Sequence, residues 1–166
     1  MESKAKVKET KAKETKAKEA ENKTTQLKNA AESCNVEFKG LMVKKARIKN
    51  ENGKEKSDIL GWDYIFRAID GTCYSFYAAE PPLIGMTQPI PIICPLGVKA
   101  FNSYKVDFKQ AIETLHTMKC GGTFVAMSLS WPLTPECKQP YWHIRTSIGN
   151  DVAIGENTGK SICSKI

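Results

Sequence analysis

The residues able to do chemistry in this chain are few and scattered. His116 and Cys120 are four apart and would share one face of a helix, while Cys137 and His143 lie further along. Two imidazoles and two thiolates are a suitable donor set for tetrahedral zinc. The spacing matches no compact zinc signature, however, and the six cysteines (Cys34, Cys73, Cys94, Cys120, Cys137, Cys163) contain no C-x-x-C pair. A Cys/His nucleophile pair would need Cys120 or Cys137 against His143 in an open cleft, and nothing in the spacing arranges that. There is no G-x-x-x-x-G-K-[ST], no G-x-G-x-x-G and no H-E-x-x-H, and Gly159-Lys160-Ser161 lacks the upstream glycines that cradle phosphate. These residues therefore read as packing. The expectation is a non-enzymatic protein with no cofactor, and metal binding or Cys/His catalysis is kept as an alternative.

The elements that would position such residues occupy only part of the chain. Residues 1–33 hold nine lysines and six glutamates in an imperfect pentapeptide repeat (KETKA, KETKA, KEAEN), with no large apolar residue between Val7 and Leu27. A five-residue period does not match the helical turn, so no apolar stripe forms and the segment reads as a solvated spacer or tether. The remainder, 34–166, has the apolar content of one domain. Net charge is +7, which raises nucleic acid as a partner for the Lys-rich tail, although interleaved acids and the lack of aromatic residues weigh against it. Leu83–Val98, the longest apolar stretch, is interrupted by Pro89, Pro91 and Pro95, so no membrane span is expected. No apolar h-region follows Met1. A cytoplasmic location with reduced, buried cysteines is the default expectation.

Within 34–166 the pattern predicts an α+β domain: an antiparallel sheet of hairpins packed on at least one helix. Val36–Ile48 reads as a first strand. Trp62–Ile69 and Thr72–Ala78 flank Asp70-Gly71, a two-residue hairpin signal. Pairing Ile69 with Thr72 places Trp62, Tyr64, Phe66, Cys73, Ser75 and Tyr77 on one face, and Tyr74 and Phe76 on the other. Pro81, Pro82, Pro89, Pro91 and Pro95 make 80–97 an ordered loop. Its Leu83, Ile84, Ile90, Ile92, Ile93 and Leu96 are too apolar for a free linker, so the loop either packs on the sheet or docks to a partner. Asp107 and Gln110 form a capping box for a helix over Phe108–Lys119 whose stripe is Phe108, Ala111, Ile112 and Leu115. Alternating strands follow at Phe124–Trp131, at Trp142–Thr146 and after Gly149-Asn150. The two hairpins are patterned alike, which suggests a distant duplication over 36–97 and 103–166.

The segment Asp107–Ile162 resembles a PepSY-type module. It has a helix (KQAIETLHTMK), a glycine turn (CGG), a strand (TFVAMSLSW), an aromatic opening to the next strand (PYWHIRT), and a closing ENTGKSI. The resemblance implies a small inhibitor or accessory domain with no catalytic residues. Lack of a signal and the long loop Pro132–Pro140 depart from that pattern. Taken together, the sequence suggests a protein-binding or assembly module with a protein partner, whose contact residues are Trp62, Tyr64, Phe66, Tyr77, Ile90 and Ile92. The rival expectation is a nucleic-acid-associated or particle-assembly protein.

Overall fold

The computed structural model describes residues 26–165. The pentapeptide repeat, and with it the tether expected there, lies outside the described residues. A first helix, α1, covers 26–33. It is followed by strands β1 (Phe38–Ile48), β2 (Ile59–Ala68), β3 (Cys73–Ala79), β4 (Ile90–Ile92) and the short β5 (Val98–Lys99). The second helix, α2 (Phe108–Thr117), leads into β6 (Phe124–Pro132), β7 (Tyr141–Thr146), β8 (Asp151–Gly155) and β9 (Ser161–Ser164). No helix among the described residues is long and apolar enough to cross a membrane.

The α+β expectation is corrected. Strand residues make up 43% of the described residues and helical ones only 15%, so the fold is β-rich. The sheet outweighs the helices in part because 80–97, expected as a loop, also supplies a strand, β4, and the chain closes on a further strand, β9. The strand order is β4-β3-β2-β1-β6-β7-β8-β9, with β5 paired to β6 off this path. Every pairing is antiparallel. Two four-strand meanders thus meet through β1 and β6, and a helix precedes each of them. The seam is short, running Val43↔Ser130, Lys44↔Leu129 and Lys45↔Ser128. The spans 36–97 and 103–166 leave α1 out of the first repeat of this order.

The tail also ends earlier than the boundary at 33. Leu27, Ala30 and Ala31 are buried in the core, and their i, i+3, i+4 spacing gives α1 a narrow apolar stripe. α2 begins at its Asp107/Gln110 capping box, with Gln110 N–H donating to Asp107 Oδ1 at 2.9 Å. It buries Phe108, Ala111, Ile112 and Leu115. Phe108 meets Trp62 edge-on with ring centroids 5.1 Å apart, and Trp62 lies 5.7 Å from Trp142 of the other meander.

The β2–β3 hairpin differs from expectation by one residue. Ala68 N–H donates to Thr72 O at 2.9 Å and Gly71 N–H to Ala68 O at 3.0 Å, so Ile69, Asp70 and Gly71 form a three-residue loop. Gly71 takes φ +92°, the left-handed position that closes such loops with a bulge. Because strand side chains alternate faces, this slip turns β3 over. Tyr74, Phe76 and Ala78 now pair with Phe66, Tyr64 and Trp62, and Tyr64 stacks on Phe76 at 5.1 Å.

At the seam, Lys44 is 1% exposed. Its ammonium lies 4.3 Å from the Trp62 ring centroid, 5.4 Å from Tyr64, 5.7 Å from Tyr104 and 6.0 Å from Trp142. It also donates to the Tyr104 hydroxyl at 3.3 Å. Burial holds the Tyr64 and Tyr104 phenols well above their ordinary range, so both stay protonated beside the cation.

The hairpin loop gives the first prediction. A Cβ on Gly71 would meet nothing nearer than Arg67 Nη2 at 3.7 Å, so the cost of Gly71→Val is conformational, about 1–3 kcal/mol. Urea denaturation should show this loss, with a smaller one for Gly71→Asn, which tolerates positive φ.

Candidate interaction site

The expected contact residues separate into two groups. Trp62, Tyr64 and Phe66 are core residues, which corrects their assignment to a binding surface. Their alternation identified one face of the hairpin correctly, but that face is covered by the rest of the core. Tyr77 is on the opposite face, half-buried, with the Arg47 guanidinium 4.3 Å from its ring centroid. Its ring lies across Gly61, where a Cβ would collide with the phenol. Ile90 is 58% exposed, whereas Ile92 is half-buried opposite Cys73.

The sulfur chemistry is also corrected. Cys73 is bonded to Cys94, and Cys120 to Cys163; Cys34 and Cys137 are free thiols. Cys120 is thus not available as zinc ligand or nucleophile. Among the described residues no group of three metal-ligating side chains converges. His116 is exposed on α2. Cys137 lies in the loop after β6, where its carbonyl accepts from Trp131 Nε1 at 3.0 Å. His143 lies on the open face of β7, in a shallow hollow of about 400 Å³ formed where Ala126, Ser128, Ala153 and Ser164 are small.

The segment 80–97 holds six of the eleven large apolar side chains exposed among the described residues; Val125, Ile148 and Ile162 are exposed elsewhere. The centre of the segment is β4, an edge strand on β3 with register Cys73↔Ile92, Tyr74↔Pro91 and Ser75↔Ile90. The expectation of an ordered loop is corrected to an arm containing a strand. Edge position explains how proline is tolerated there, since an edge strand needs donors on one side only. Before β4, Ala79 N–H donates to Gly85 O and Thr87 N–H to Tyr77 O, both at 2.8 Å. Tyr77 N–H donates to Thr87 Oγ1, also at 2.8 Å. Beyond β4 the Cys73–Cys94 bond and the donation from Leu133 N–H to Gly97 O fix the return.

Held in this way, the arm presents Ile84 at 98% exposure and Ile93 and Leu96 at 94%, with Leu83, Met86 and Ile90 also exposed. No charged residue occurs from Pro81 to Val98. Two more exposed apolar residues lie at its margins. Ile69 is in the hairpin loop whose Gly71 carbonyl is 3.4 Å from Cys94 Sγ, and Leu133 is bonded to Gly97. The sequence pointed to the segment but singled out Ile90 and Ile92. Ile84, Ile93 and Leu96 stand out only once β4 is paired and the disulfide is known.

The hollow around His143 yields a pH prediction. Burial lowers the imidazole pKa below its ordinary 6.5, against a smaller opposing pull from Asp151, so the folded state holds this ring neutral. The unfolded chain takes up the proton first, so His143's contribution is present above pH 6.5 and declines as pH falls toward the lowered folded value. Unfolding free energy followed between pH 7.5 and 5.5 should fall less steeply in His143→Gln, and equal slopes would exclude this assignment. Comparison of the chain with protein-family models, with curated proteins and with solved structures finds no match, so the reading of the site rests on its geometry.

Proposed function

We propose that this chain is a non-enzymatic protein-binding module whose contact element is the arm 80–97. The observation that carries this reading is an ordered, covalently braced segment whose largest apolar side chains face water. A soluble surface normally keeps such residues scattered, and a contiguous set marks an interaction surface. Burying an isoleucine or leucine fully is worth about 1.5–3 kcal/mol, so three or four tips give a gross gain on the order of the cost of association. The net affinity then depends on how little ordering the arm requires on binding. Prolines and the disulfide reduce that requirement before any partner arrives.

The chemistry of the arm favours an apolar groove on a protein over nucleic acid. With no charge between Pro81 and Val98, it has no group to pair with phosphate, and phosphate pairing supplies most nucleic-acid affinity.

The test is Ile84→Asp combined with Ile93→Asp. Because both side chains are almost wholly exposed, the circular dichroism spectrum should be unchanged and the melting temperature should move by no more than about 2 °C. A photo-cross-linker at Leu96 should trap a discrete protein in an extract of the native source, and the double change should abolish that product. The same cross-linker at Ile162, on the far edge of the sheet, should not trap it. A product that survives both Asp substitutions would refute the reading.

A further inference from the structure

The arm contributes little to the core. Between Pro81 and Gly97 only Pro89 is buried, while Ile92, Cys94 and Pro95 are half-buried. Beyond its root, where Glu80 N–H donates to Leu60 O and the Glu80 carboxylate accepts from Trp62 Nε1, its non-covalent attachment is mainly backbone pairing at a sheet edge open to water: three strand pairs and the donations made by Ala79, Tyr77, Thr87 and Leu133. Such bonds exchange readily for bonds to water, and segments held by them open at low free energy. Pro89, Pro91 and Pro95 also withhold three donors.

The covalent attachment is a single bond. Cys73 is wholly buried at the start of β3, between Arg67 of β2 and Ile92 of β4 in the strand register. Cys94 is half-buried just beyond β4. Their bond closes a separation of 21 residues that includes the whole arm up to Cys94. The second disulfide is at the other end of the sheet, joining Cys120 after α2 to Cys163 on the opposite edge strand.

We infer that Cys73–Cys94 is a redox lock on the contact arm: oxidised, it fixes the exposed apolar side chains in one array, and reduced, it lets the arm leave β3 while the rest of the sheet stays folded. This rests on the arm being the contact element proposed above. The reductant is a dithiol. One of its thiolates attacks Cys94 Sγ, the more exposed sulfur, and forms a mixed disulfide as the Cys73–Cys94 bond breaks. Cys73 leaves as a thiolate and takes up a proton. The second thiol of the reductant then displaces Cys94, which also leaves as a thiol, and the reductant closes into a cyclic disulfide. Two electrons pass from dithiol to protein, and the freed arm regains the conformational freedom that loop closure removed.

Hydrogen–deuterium exchange of the whole chain tests this in four states: oxidised, reduced with dithiothreitol, reoxidised, and oxidised Cys94→Ser, which leaves Cys73 undisturbed in its buried place. Amides at 85–93 should exchange at least tenfold faster on reduction and in Cys94→Ser, and should regain protection on reoxidation. β2, β6 and β7 should stay protected throughout. Cys163→Ser, which breaks the other bond, should leave 85–93 protected. An arm equally protected without its bond would overturn the lock, as would simultaneous loss of protection in the arm and β2. The measurement needs no partner, so the two readings can fail separately. Unaltered cross-linking by Ile84→Asp/Ile93→Asp would remove the contact function and leave the lock standing. An arm indifferent to the bond would do the reverse.

Discussion

The join between the meanders is built around one buried cation, Lys44. An ammonium in an apolar interior is costly unless polar groups and ring faces surround it. For Lys44 these come from both halves of the molecule. Trp62 and Tyr64 belong to the first meander, Trp142 to the second, and Tyr104 to the connection between them. The rings are themselves fixed by their polar edges, with Trp62 Nε1 donating to Glu80 at 2.9 Å and Trp142 Nε1 to Val106 O at 2.8 Å. The buried Glu156 carboxylate accepts from Val106 N–H. Val106 is therefore held through both its carbonyl and its amide, immediately before the Asp107 cap of α2. A three-pair seam would be a weak join by itself, and the cation gives each half a reason to stay in register with the other.

A core completed in this way needs the arm only at its root, where Glu80 accepts from Trp62 Nε1. The side chains that surround Lys44, and the stripe of α2, fill the covered face of the sheet from within 26–79 and 100–163. The six exposed aliphatic residues of 83–96 are therefore surplus to folding. The arm also covers what would otherwise be an open edge of β3. Pro89 and Pro91 blunt the new edge it creates, so an exposed apolar segment does not become a template for strand addition.

Much of the local structure was legible in the sequence. The capping box and stripe of α2, the alternation in β7 and in β6 from Met127 onward, and the glycine at the β2–β3 turn each follow from short-range rules. A bulge at the start of β6 buries Phe124 and exposes Val125, the reverse of the alternation expected there. What was missed depended on information those rules lack. Asp70-Gly71 specifies a turn but does not distinguish two loop residues from three, and that single residue decides which face of β3 is covered. Alternation grouped Trp62, Tyr64 and Phe66 correctly, yet only the distant pairing of β1 with β6 shows that they face inward. The cysteines are 21 and 43 residues apart in their bonded pairs, and no local pattern links them. α1 escaped notice because two of its three core residues are alanines, which blend with the repeat before them.

Those alanines set a division of volume across the molecule. In the first half the helix offers only Leu27, Ala30 and Ala31, and the strands are bulky, with Trp62, Tyr64, Phe66 and Phe76. In the second half the helix carries Phe108, Ile112 and Leu115, and most of the facing strand residues are slimmer aliphatics: Met127, Leu129, Ile144, Val152 and Ile154. Bulk lies on the sheet in one half and mainly on the helix in the other, with Trp142, where the halves meet, and Phe124, at the start of β6, as exceptions. The two halves share an architecture but are not interchangeable parts. A chain assembled from two copies of the first would set thin helices against aromatic strands twice over, and one from two copies of the second would lack the lysine at its centre.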